Sequence, residues 1–78
     1  MMTDDKIYTV STAGKGRVNI IDATTGVVVN HFTYQGEIIQ GPNVTGNKTS
    51  YIVEYPNGEK KGFLRKLPQG VVINSFVV

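Results

Sequence analysis

The chain has no cysteine and no tryptophan, one histidine, and three prolines in 78 residues. Without cysteine there is no disulfide, no zinc–thiolate cluster and no thiol nucleophile. A lone histidine, His31, leaves no histidine pair for a metal, and no Ser or Thr has a His and carboxylate in motif spacing. No run approaches the ~20 apolar residues of a membrane helix. The opening "MMTDDK" lacks the basic-then-apolar order of a secretory leader, so the expectation is a protein made in the cytoplasm and not secreted. The net charge of +2 is too small to imply nucleic acid by itself. A chain this short buries only about 60% of its unfolded surface on folding, and small domains without staples commonly oligomerise.

Helical periodicity is also missing. Short runs rich in Val, Ile, Tyr, Phe and Thr alternate with Gly, Asn, Pro and Lys clusters, the pattern of an all-β chain. Seven strands are predicted, at Lys6–Ser11, Arg17–Asp22, Val27–Phe32, Glu37–Gln40, Thr49–Tyr55, Gly62–Lys66 and Val71–Phe76. "TAGKG", "DATTG" and "PNG" supply turn residues between them.

One strand is written twice. "GVVVNHF" at Gly26–Phe32 and "GVVINSF" at Gly70–Phe76 share five of seven letters at an offset of 44. Each glycine is expected to take a positive φ in a tight turn that opens its strand. Further back, "YTV" at Tyr8–Val10 matches "YIV" at Tyr51–Val53 at an offset of 43, which implies hairpins differing by one residue. Residues 6–32 and 36–76 thus read as two units of a single 1–78 domain, the first lacking an opening strand. A period of ~40–45 residues with about four strands is the signature of a β-propeller blade.

"VNIIDATTGVVVNHF" resembles the strand–turn–strand of quinoprotein-like propeller repeats, and "GEIIQGPNVTGNKTSYIV" is similar to the segment that opens a blade in that family. The resemblance implies two blade-like antiparallel sheets of three and four strands. They would become propeller-like by oligomerisation, or else close into a small sandwich or barrel. Asn30 and Asn74 stand near where those repeats place tryptophan, and "RKLPQG" replaces "IDATTG" in the second copy. No cofactor chemistry carries over to residues of this chain. Two units fall short of the 4–8 blades of a closed ring, so several copies are expected to complete it. Val27, Val29, Val71, Ile73, Phe32 and Phe76 are the expected contacts.

No catalytic, cofactor-binding or metal residue is assigned. His31 is matched by Ser75 in the other unit, and the carboxylates Asp4, Asp5, Asp22, Glu37, Glu54 and Glu59 form no metal-loop spacing. "GKGR" lacks the length and the Ser or Thr of a phosphate loop. "EKKGFLRK" places Lys60, Lys61, Arg65 and Lys66 around Phe63 and Leu64. That cluster is either a polyanion-binding strand or, as favoured here, a set of solvated charges guarding an outer strand.

The chain is therefore expected to be a non-enzymatic structural protein whose first partner is itself. Its composition resembles the small virion proteins of tailed bacteriophages, which implies other virion proteins as further partners and the virion as its location. Two other classes are a lectin-like module, which would have to use Tyr8, Tyr34, Tyr51 and Tyr55 in place of tryptophan, and a nucleic-acid binder using the basic strand. Neither a sugar, a nucleic acid nor a membrane is the expected partner.

Overall fold

The structure, a computed structural model, describes residues 6–78, so Asp4 and Asp5 lie outside the described residues. The fold is all-β, with strands β1 (Tyr8–Thr12), β2 (Arg17–Asp22), β3 (Val28–Thr33), β4 (Glu37–Thr45), β5 (Lys48–Glu54), β6 (Lys60–Lys66) and β7 (Val71–Val77). They form two antiparallel meanders, β1-β2-β3 and β4-β5-β6-β7, and neither sheet closes on itself or on the other. The Cα radius of gyration is 13.1 Å, against about 11.5 Å for a compact globule of this length. The chain is a flattened, open pair of sheets.

The core forms where the sheets face each other. Alternation along β2 sends Val18, Ile20 and Asp22 inward, with Phe32 beside Val18 on β3. Thr49, Tyr51 and Val53 of β5 face them from the second sheet, and Leu67 closes one end. Six buried apolar side chains are a small core for an unstapled domain, so each carries a large share of the stability.

The strand written twice is built twice. Gly26 and Gly70 both adopt φ 77°, as the sequence predicts. Each glycine N–H donates to the carbonyl four residues back, Gly26 to Asp22 at 2.7 Å and Gly70 to Lys66 at 2.6 Å. Both strands then bulge at the same place. Ile20 and Ile21 pair with Asn30 and Val28, skipping Val29, while Leu64 and Arg65 pair with Asn74 and Val72, skipping Ile73. The side-chain Oδ1 of Asn30 accepts from His31 N at 2.8 Å, and that of Asn74 accepts from Ser75 N at 2.9 Å.

The registers correct the other half of the sequence alignment. Ile20 pairs with Val10 and Leu64 pairs with Ser50, so β1 corresponds to β5 at an offset of 40 rather than 43. Tyr8 is the counterpart of Lys48, Ser11 is the counterpart of Tyr51, and the second hairpin is longer by four residues rather than one. The predicted strand at Glu37–Gln40 also extends to Thr45. It runs through Gly41–Pro42 with register shifts between Ile38 and Gln40 and between Gln40 and Asn43.

Candidate functional site

The joint between the two sheets is the most elaborately built region of the molecule. Asn30 Nδ2 on β3 donates to the carbonyls of Pro68 at 3.0 Å and Gln69 at 3.1 Å in the turn between β6 and β7. That turn presses onto the first sheet. Leu67 is buried, and a Cβ on Gly70 would lie 3.4 Å from Ile20 Cδ1 and 3.6 Å from Phe32 Cδ2. Phe32 stacks on Tyr51 with centroids 5.6 Å apart, and Tyr51 stacks on Phe63 at 5.4 Å.

Arg65 locks this stack. Its guanidinium carbon lies 4.2 Å from the Phe32 ring centroid. Nε donates to Tyr51 Oη at 2.8 Å, one terminal nitrogen to the Gly70 carbonyl, and the other to the Thr33 carbonyl at 3.4 Å. The guanidinium is therefore hydrogen-bonded to both sheets.

This placement overturns the reading of the basic cluster as charges guarding an outer strand. β6 is an inner strand, flanked by β5 and β7. Alternation splits its cations between two faces, with Lys61 and Arg65 toward the first sheet and Lys60 and Lys66 outward. Lys61 Nζ lies 5.7 Å from the Phe63 centroid. The four charges form no common track for a polyanion. The tyrosines offer little platform either, since Tyr51 is buried and Tyr8, Tyr34 and Tyr55 are partly buried against the core.

His31 is exposed on the outward face of β3, across from Asn19, whose Oδ1 is buried without a hydrogen-bond partner among the described residues. Folding does bring Glu37 and Glu54 opposite each other on β4 and β5, at the rim of a shallow depression that also takes in Tyr55 and Pro56. Among the described residues, no three His, Asp or Glu side chains gather to hold a metal, and no helix is long and apolar enough to cross a membrane.

The surface with the most to contribute is apolar. Every residue of β7 is exposed, including Val71, Val72, Ile73, Phe76 and Val77. Val27, Val28 and Val29 are exposed around the start of β3. Phe32, expected at a contact between copies, is instead buried inside the chain, whereas its counterpart Phe76 is 52% exposed. β3 and β7 are both edge strands, each with one unpaired row of backbone groups. No family model, no curated protein and no solved structure matches this chain.

Proposed function

We propose that this chain is a non-enzymatic structural protein that works by assembling with copies of itself, as a small virion component contributing to a ring or patch on a bacteriophage particle. The observation that carries the reading is β7, a seven-residue edge strand exposed along its whole length, five of whose side chains are Val, Ile or Phe. Soluble proteins blunt such edges with charge, proline or a bulge, or cover them. β7 has a bulge and no charge or proline, which favours cover. The virion assignment rests on composition, that of a short cysteine-free chain rich in Gly, Val, Thr and Asn without a catalytic constellation.

Light scattering on purified protein at tens of micromolar tests the assembly. A mass of several protomers is expected, and a strict monomer contradicts it. Finding the chain in purified particles tests the location. On the same reading, a glycan array returns no selective hit. Binding to nucleic acid is weak and vanishes at moderate salt, because only scattered phosphate contacts are available.

A further inference from the structure

The two sheets do not meet like face to like face. The face that the first sheet buries carries Val18, Ile20, Asn30 and Phe32, whose counterparts at an offset of 44 are Gly62, Leu64, Asn74 and Phe76. Those four lie on the outward face of the second sheet. The second sheet buries its opposite face, with Phe63 and Arg65, and their counterparts Asn19 and Ile21 lie outward on the first sheet. Each sheet thus has the same two faces, and the chain joins face one of the first sheet to face two of the second. Face one of the second sheet and face two of the first remain open.

The open face is laid out like the closed one. Asn74 is oriented as Asn30 is, its Oδ1 accepting from the next backbone N–H. Asn30 Nδ2 then reaches the carbonyls of Pro68 and Gln69, whereas Asn74 Nδ2 has no acceptor among the described residues. The Phe76 ring covers Gly62, where a Cβ would collide with it, and remains 52% exposed on its other side. The matching half is equally vacant. The turn 67–70 rests on Ile20 and Phe32, but its counterpart 23–26 is exposed and a Cβ on Gly26 would meet nothing within 4 Å.

We infer that the outward face of the second sheet, centred on Leu64, Asn74 and Phe76, docks the turn 23–26 and the adjoining Ile21 of a second copy of this chain, repeating the internal joint between molecules. This rests on the self-assembly reading and specifies its geometry. In that contact Asn74 Nδ2 donates to the carbonyls of Thr24 and Thr25 of the second copy. Phe76 and Leu64 pack on its Ala23 and Gly26 as Phe32 and Ile20 pack on Leu67 and Gly70. The contact is heterologous, since one copy's second sheet meets the next copy's first, so copies add head to tail and form a ring where the rotation closes. The face of the first sheet that enters it lacks the stacked rings and the arginine of the internal joint, with Ser11, Asn19 and Ile21 in place of Tyr51, Phe63 and Arg65. The contact between copies is accordingly the weaker of the two joints.

Complementary variants test the geometry. Asn74→Asp keeps the acceptor for Ser75 N and replaces the amide donor with an anion facing carbonyls. Ala23→Glu places an anion on the exposed turn, and neither residue is buried. The expected result is that each variant alone associates at least tenfold more weakly than the wild-type chain. An equimolar mixture recovers association but stops at dimers, since each pair then has one intact joint. Circular dichroism and the melting temperature of dilute protein should match wild type for both. Should one variant assemble as wild type does while the other does not, the contact is symmetric and the head-to-tail inference is wrong, with self-assembly still standing. Should the wild-type chain remain monomeric, both readings fall. Unfolding of either variant also counts against the inference, because it requires both positions to be free in the protomer.

Discussion

β3 and β7 share most of their letters, the same opening glycine geometry, the same bulge and the same self-bonded asparagine, yet their surroundings differ. One Phe is buried beneath an aromatic stack and an arginine, and the other is half in water. One asparagine bridges two sheets, and the other holds the same pose with its donor open. Local sequence therefore determines the strand, while the neighbour determines what the strand contributes. A chain with two units has room for only one such joint inside it.

Paired substitutions sharpen this contrast, and dilute, monomeric protein is the place to measure them. The largest difference is expected between Phe32→Ala and Phe76→Ala. The first empties a site packed on Ile20, Tyr51 and Arg65 and should cost about 3–4 kcal/mol by urea unfolding. The second uncovers Gly62 on an already wet face and should cost about 1 kcal/mol. Comparable losses for both would mean that the two environments are equivalent after all.

Arg65→Ala and its counterpart Ile21→Ala come next. Arg65 makes three hydrogen bonds and covers the Phe32 ring, so its removal should cost about 2–3 kcal/mol. Ile21 is half-buried on the outward face, and its truncation should cost about 1 kcal/mol. A smaller effect from Arg65 than from Ile21 would show that the arginine is a surface charge and not a clamp.

Asn30→Asp and Asn74→Asp give the smallest pair. Asn30→Asp loses its donor to Pro68 and Gln69 and sets an anion against two carbonyls, for about 1–2 kcal/mol. Asn74→Asp keeps the acceptor for Ser75 N and should leave dilute-protein stability within about 0.5 kcal/mol.

Much of the fold was legible in the sequence because alternating apolar residues and glycine turns report strands locally. All seven strands appear near their expected places, and Gly26 and Gly70 take the turn geometry that their position ahead of "VV" implied. Two of the differences have a common physical origin. A strand's side chains point alternately to its two faces, so an error of three residues in register exchanges the faces. Matching "YTV" to "YIV" put Tyr8 in the place of Tyr51, although Tyr51 is buried on the face that corresponds to Ser11. The same alternation separates Arg65 from Lys60 and Lys66, which a linear reading of "EKKGFLRK" gathers into one patch. The sequence places the end of β4 at Gln40 because Gly41–Pro42 reads as a break, whereas two register shifts carry the strand through it to Thr45. Val-rich strands such as β3 and β7 are apolar on both faces, so their letters alone do not say which face is covered.

The most direct measurement uses the absence of cysteine, since the thiols introduced are then the only ones in the chain. A chain carrying both Ile73→Cys and Thr25→Cys, treated with a short bis-maleimide, places one reactive group beside each half of the joint between copies and leaves Asn74 intact. Head-to-tail repetition predicts a ladder of covalent dimers, trimers and higher species on a denaturing gel, with either single variant giving no ladder. A control with Val29→Cys and Gln69→Cys, which leaves Asn30 intact, should link within one chain, reporting the internal joint with the same reagent. A ladder beside that internal link would show the same contact made twice. An internal link without a ladder, or products that stop at dimers, would contradict the claim that β7 repeats between molecules what β3 does within one.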